Sequence, residues 1–235
     1  MRTFVVNLAR RPDRRRRMEQ ILPAGWEVEF TTEWPEPMDG ARITTADLDG
    51  YHMFPWQIES TNRWWNRPLT LGEIGCAISH LSCWRRASRL GSGPVLILED
   101  DIELVPDIDR ALVDGLRRLH AVDPGWHLAY LGRWALDPAA DTPVGNGLVR
   151  PAYSYCTFAY LLSEAGLAEL LESGFDQDLL PVDELLPALY MPHPRKDVRD
   201  RYPPRLRAYA FEPPLVTQLP KEVAGSDTES SEFLA

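Results

Sequence analysis

Cysteine is scarce in this chain of 235 residues, with three in all: Cys76, Cys83 and Cys156. An odd number without a CxxC pair excludes a disulfide framework and a cysteine-rich zinc module. The three read as small buried hydrophobes. Cys76 and Cys83 stand seven apart on one predicted helix, too far along it to bridge. The five histidines are scattered through the chain, which argues against a histidine-built metal centre. No apolar run approaches the roughly 20 residues of a membrane span. The start, MRTFVVNLARR, meets charge too early for a secretory leader. A phosphate loop of the GxxxxGK(S/T) type is missing. Lysine is nearly absent, so the 25 basic residues are almost all arginine, set against 35 acids for a net charge of −10. That balance argues against a nucleic-acid partner, whose binding requires neutralised phosphates. The expectation is a soluble, cytoplasmic, globular protein.

What is present is enough for one large core: 44% of the residues are hydrophobic and eight are tryptophan. Thr3–Leu8 reads as a buried strand, followed by a helix that Pro12 opens at a position needing no N–H. Residues 33–68 lack periodicity and hold four of the tryptophans, the pattern of a long binding loop. From Thr70, Ile74, Ala77, Ile78, Leu81 and Trp84 share one helical face. Pro94–Leu98 reads as a central strand, Ile108–Leu119 as an amphipathic helix, and residues 127–132 and 157–162 as further strands. Ser163 is an N-cap candidate for the helix closed by Gly174, and Val182–Tyr190 reads as a short helix. Residues 207–211 and 215–218 are short strand candidates. Alternation of strands and helices predicts an α/β fold with a mostly parallel sheet flanked by helices. The expected organisation is one domain over residues 1–225, with 33–68 as an inserted loop and 226–235 as a mobile acidic tail.

Glu99-Asp100-Asp101 ends the central strand. In an open α/β sheet, ligands meet the carboxyl ends of the strands. Adjacent carboxylates there repel one another unless a cation intervenes, and Mg²⁺ or Mn²⁺ with a phosphate would satisfy them. The alternative is a helix N-terminus carrying acids. Residues 10–17, RRPDRRRR, carry six arginines and one aspartate. Arg14–Arg17 read as a solvated helix face, with anionic-membrane contact as an alternative. Arg10 and Arg11 sit at a strand-to-helix junction, where anions are met. Asp183 and Glu184 open a helix, either as N-terminal acids or as catalytic carboxylates. Trp56, Trp64 and Trp65 read as a sugar platform, a lid or core.

In order along the chain, these segments resemble glycosyltransferase family 25. The resemblance rests on Val5–Arg14 (VVNLARRPDR), Met38-Asp39-Gly40, Leu69–His80 (LTLGEIGCAISH), Leu96–Asp101 (LILEDD), Pro181–Glu184 (PVDE) and Ser226–Ser230 (SDTES). It implies a GT-A-type, Rossmann-like fold and an inverting transfer of galactose or glucose from a UDP-sugar to an acceptor hydroxyl. Lipopolysaccharide biosynthesis is one setting the family implies. Mn²⁺ or Mg²⁺ would be held by Asp101 and Glu99 of a DxD-like triplet, with Asp227 as a further ligand. Asn7, Arg10, Arg11, Asp39, Glu73, Ser79, His80, Glu99 and Asp100 are the implied donor contacts. Asp183 is the general-base candidate and Glu184 the runner-up. The acceptor is a glycan, a lipid-linked glycan, a peptide or a small molecule, with peripheral contact to the inner membrane face as an option. Two other functions remain open: a nucleotidyl- or phosphotransferase using the acids with Mg²⁺, and a non-catalytic glycan- or nucleotide-binding module.

Overall fold

The computed structural model describes residues 1–91, 93–228 and 231–234. In chain order the elements are β1 (Arg2–Val6), α1 (Pro12–Ile21), β2 (Glu27–Phe30), α2 (Leu71–Leu90), β3 (Val95–Glu99), β4 (Ile102–Leu104) and α3 (Ile108–Val122). There follow β5 (Leu128–Ala135), β6 (Thr142–Gly145), β7 (Leu148–Arg150), β8 (Ser154–Leu162) and α4 (Glu164–Leu171). The chain continues through α5 (Val182–Tyr190), α6 (Lys196–Arg201), β9 (Ala208–Phe211), β10 (Val216–Gln218) and α7 (Lys221–Ala224).

Eight strands form one sheet in the order β2-β1-β3-β8-β5-β9-β7-β6, and β4 and β10 form a separate pair. Six of the eight point the same way, as a mostly parallel sheet requires. β8 runs against both of its neighbours, β3 and β5. Its start therefore meets the carboxyl ends of β3 and β5.

Successive side chains of the central strands enter two separate cores, because a strand alternates its faces. Phe4, Ile97, Tyr130 and Tyr160 pack with α2, α4 and α5. Val5, Leu96, Leu98 and Leu131 pack with Met18 of α1 and with Leu112 and Leu119 of α3. Strands covered on both faces read as unbroken apolar runs, which is why residues 95–98 are VLIL. Thr70 caps α2 in a capping box with Glu73, and Ser163 Oγ accepts from the Gly166 N–H that opens α4.

Two expectations change. Arg14–Arg17 do not form a solvated face: Arg14 turns inward to Asp100, Arg15 pairs with Glu19 and Glu33, and Arg17 donates to the Ile102 carbonyl. Only Arg16 of the four is exposed. No helix among the described residues is long and apolar enough to cross a membrane. The stretch after Ser226 also folds back. Leu71 N–H donates to Glu232 O at 2.8 Å, Leu234 N–H to Leu69 O at 2.7 Å, and Gly72 N–H to Ser231 Oγ at 2.8 Å. The first turn of α2 leaves the Leu71 and Gly72 N–H groups unpaired within the helix, and the later segment supplies their acceptors. Glu229 and Ser230 of the SDTES element lie outside the described residues.

Candidate active site

Asn7 follows β1, Thr31 follows β2, and Glu99 ends β3, so these residues share the carboxyl edge of the sheet. The start of β8 brings Thr157 to the same edge. Glu99 is held by a chain of hydrogen bonds that begins inside the core. Trp84 Nε1–H donates to the Tyr160 hydroxyl oxygen at 2.9 Å, and that group meets His80 Nδ1 at 2.7 Å. An indole only donates, so the Tyr160 oxygen accepts there, and its own proton is free to go to Nδ1. The His80 proton then sits on Nε2, facing Thr157 Oγ1 at 3.5 Å, and the Thr157 hydroxyl donates to Glu99 at 2.9 Å. His80 is fully buried. It positions Glu99 through Thr157 instead of lining a ligand surface.

Cys76, His80 and Glu99 bring ligand-type atoms within 4.8 Å of one another. Burial first, then Glu99, holds the Cys76 thiol well above its ordinary pKa. A cation there would displace both the thiol proton and the Nε2 proton that completes the chain.

Asp100 points inward. It accepts from Asn7 Nδ2 at 2.6 Å and from Arg14 Nη1 at 2.6 Å. Asn7 Nδ2 also reaches the Arg11 carbonyl at 3.2 Å. Both partners are acceptors, which fixes the amide orientation and leaves Asn7 Oδ1 buried without a donor. Arg14 Nε is likewise buried without a partner. Burial outweighs Arg14 and Asn7 and raises the Asp100 carboxyl. Asp101 contacts Gln218 Nε2 at 3.2 Å and is raised by burial, then by Glu99 and Asp100. Arg14 stands 3.9 Å from Asp101 and 3.7 Å from Asp227, so one guanidinium lies among three carboxylates.

Arg10 holds Asp39 at 2.9 Å and also pairs with Asp227, which Arg11 reaches at 2.7 Å. Asp227, expected as a metal ligand, therefore has both oxygens engaged by arginines. Beside this lattice a cavity of about 310 Å³ is lined by Asn7, Thr31, Trp34, Pro37, Met38 and Asp39. It combines apolar walls, an orphaned buried acceptor and nearby guanidiniums, the mix a nucleotide needs.

Asp183 and Glu184 differ although adjacent. Glu184 is buried and accepts from Trp65 Nε1 at 3.2 Å, from the Tyr153 hydroxyl and from His193 Nε2 at 2.8 Å. His193 Nδ1 accepts the Arg195 N–H at 3.0 Å, which places the imidazole proton on Nε2. With three donors in place, Glu184 is a positioning carboxylate. Asp183 is only partly buried, and no side chain among the described residues hydrogen-bonds its carboxylate. Burial, then Glu184, Glu73 and Glu99, raises it to about 8. A carboxylate poised near neutrality and otherwise unengaged suits proton acceptance.

A family model described as "Glycosyltransferase family 25 (LPS biosynthesis protein)" matches residues 1–127, more than half of the chain. The chain belongs to glycosyltransferase family 25. It is 36% identical over 238 residues to the human "Inactive glycosyltransferase 25 family member 3", covering 97% of this chain and 39% of that protein. It is 33% identical over 239 residues to the Danio rerio "Procollagen galactosyltransferase 1", covering 97% and 38%. The Mus musculus "Procollagen galactosyltransferase 2" is 34% identical over 241 residues, covering 97% and 37%. The chain thus spans about two-fifths of the length of these relatives. The GT-A-type α/β class expected of the family matches the sheet and its helical layers.

Other family positions serve the scaffold. Ser79 Oγ donates to the Gly75 carbonyl of its own helix at 2.8 Å. Glu73 closes the α2 capping box and receives Arg67 through two hydrogen bonds of 2.6 and 2.8 Å. Trp56 is core, stacked on the buried Arg195 at 4.5 Å, whereas Trp64 lies between Arg63 and Arg67. Sequence reasoning missed Tyr153 and His193, because nothing local marks a tyrosine 31 residues from Glu184 as its partner. Replacing Glu184 with Ala takes the acceptor from Trp65, Tyr153 and the fully buried His193, and a loss of roughly 3 kcal/mol is expected. Urea denaturation at neutral pH checks this.

Proposed function

We propose that this family 25 chain is an inverting transferase that moves galactose or glucose from a UDP-sugar to an acceptor hydroxyl. The observation that carries this reading is the division of the acids at the sheet edge. Asp100 is committed to Arg14 and Asn7, and Asp227 to Arg10 and Arg11. Glu99 and Asp101 keep no short ion pair to an arginine, and Asp183 stands apart on α5.

Glu99 and Asp101, the latter raised by burial and then by Glu99 and Asp100, offer oxygen donors of the kind a hard divalent cation such as Mn²⁺ or Mg²⁺ takes. Bound there, such a cation would offset the charge that develops on the departing diphosphate. Arg10, Arg11 and Arg14 supply further positive charge to the phosphates, and the orphaned Asn7 Oδ1 offers an acceptor to the nucleoside. Asp183 takes the acceptor hydroxyl proton as the oxygen attacks the anomeric carbon. The bond from that carbon to UDP breaks on the opposite face, which inverts the centre.

The galactose donor finds support in relatives named as procollagen galactosyltransferases. Other relatives are named inactive, and Arg14 lies among the carboxylates a cation would approach. Those two observations favour a second reading, a module that binds the nucleotide-sugar without turnover. UDP release from UDP-galactose and UDP-glucose, with Mn²⁺ or Mg²⁺, separates the two. Release with either sugar is expected, and none above background alongside tight UDP binding selects the module. Pyrophosphate or phosphate release from ATP would select a nucleotidyl- or phosphotransferase.

A further inference from the structure

An exposed aromatic surface borders the site and serves no core. Trp134, near the end of β5, is 66% exposed, and Leu136 is 51% exposed. Trp134 pairs in register with Tyr155 of β8. Residues directly opposite on neighbouring strands project from the same face. Tyr155 meets Tyr153 edge to face at 5.7 Å, and Tyr153 donates to Glu184. Three rings therefore lead from solvent to the first turn of α5, where Asp183 stands. Burial, then the charges of Glu184 and Asp183, raises the Tyr155 hydroxyl.

The strand pair is braced by further hydrogen bonds. Arg133 donates to Ser154 Oγ at 2.6 Å and pairs with Asp141, both side chains being nearly buried. Asp141 also accepts the Ala152 N–H at 2.8 Å, and the Tyr190 hydroxyl donates to the Ala152 carbonyl at 3.1 Å. Trp134 is thus held out to solvent on a fixed ribbon, as a preorganised site requires.

We propose that Trp134 and Tyr155 form an acceptor platform, on which a pyranose ring of a saccharide stacks with one hydroxyl directed at Asp183. The proposal rests on the transferase reading above. A pyranose presents C–H groups on its faces and hydroxyls at its rim. Aromatic faces take the first, and the adjacent carboxylates take the second. An acyl chain would find no partner in those carboxylates.

Saturation-transfer NMR with methyl β-galactoside and methyl β-glucoside tests the platform on the wild type, Trp134→Ala and Trp134→Phe. Transfer to the C–H protons of one sugar face is expected, at least fivefold weaker in Trp134→Ala and largely restored in Trp134→Phe. A glycine–hydroxylysine–glycine peptide is run beside the glycosides. Three outcomes overturn the platform: no glycoside signal in the wild type, equal signals in wild type and Trp134→Ala, or transfer to the peptide alone. UDP release by the wild type is measured separately, so failure of the transferase reading is distinguishable from failure of the platform.

Discussion

Asp183→Asn is expected to stabilise the protein while removing sugar transfer. Burial and three neighbouring acids hold the Asp183 carboxyl at about 8 in the folded protein, against the ordinary 3.8. The folded state therefore binds a proton that the unfolded state has released through the window from about 4 to about 8. Stability falls with rising pH wherever the native state holds more protons. Wild-type stability should thus decline across that window through this group. The neutral amide removes that loss, so the advantage of Asp183→Asn is near zero at pH 4 and largest at pH 8. A tenfold difference in proton affinity between the two states is worth about 1.4 kcal/mol. With screening of a partly exposed group, a gain on the order of 1–3 kcal/mol at pH 8 is expected.

Transfer should behave in the opposite sense. A general base contributes roughly 10²- to 10⁴-fold, so turnover should fall by at least about a hundredfold in Asp183→Asn while UDP still binds. In the wild type, turnover should rise as pH increases through the Asp183 pKa, because only the ionised form accepts a proton. Urea denaturation at pH 4, 6 and 8, alongside UDP-release assays, checks both halves. An asparagine variant that is less stable at pH 8 than the wild type would remove the electrostatic account. Undiminished transfer would move the base elsewhere.

Much of the scaffold was legible because its signals are local. The apolar face from Ile74 to Trp84, the Ser163 cap and the run at residues 95–98 each name an element within a few residues. The acids of the EDD and PVDE segments were legible because carboxylates at strand and helix ends are conspicuous. Partnerships across the chain were not. Arginines at 14, 15 and 17 look alike as a helical run, yet Arg14 answers an acid 86 residues away. His80 looks like a ligand contact until Tyr160 and Thr157 arrive on β8 to consume both its nitrogens. β8 itself reads as residues 157–162, but it begins at Ser154 and carries Tyr155 to the site. Its antiparallel direction is a property of topology that no periodicity encodes. The short strands β6 and β7 were missed because Pro143 and the glycines at 145 and 147 break their alternation.

The glycines of α2 show how the scaffold sets the site, and Gly75→Ala gives the other large effect. Glycine inside a helix is about 1 kcal/mol less favourable than alanine, so the exchange would stabilise an isolated helix. Here a Cβ on Gly75 would lie 2.2 Å from the Met38 carbonyl oxygen and 2.9 Å from its carbon, both backbone atoms. Gly40 approaches from the other side, where its own Cβ would meet Gly72 N at 2.4 Å. The Met38-Asp39-Gly40 turn therefore lies directly on the backbone of α2, and Asp39 from that turn orients Arg10. Displacement by the better part of an ångström should exceed the helix-propensity gain, for a net loss of roughly 2–4 kcal/mol. The movement carries Asp39 and Arg10 with it, so UDP affinity should weaken about tenfold under the transferase reading. Gly25 is the control: nothing lies within 4 Å of its Cβ position, and Gly25→Ala should change stability by less than about 0.5 kcal/mol. Urea midpoints of the two variants decide the matter. Equal stability in both would mean that the turn yields to a methyl group, and that Arg10 is not held by contact with α2.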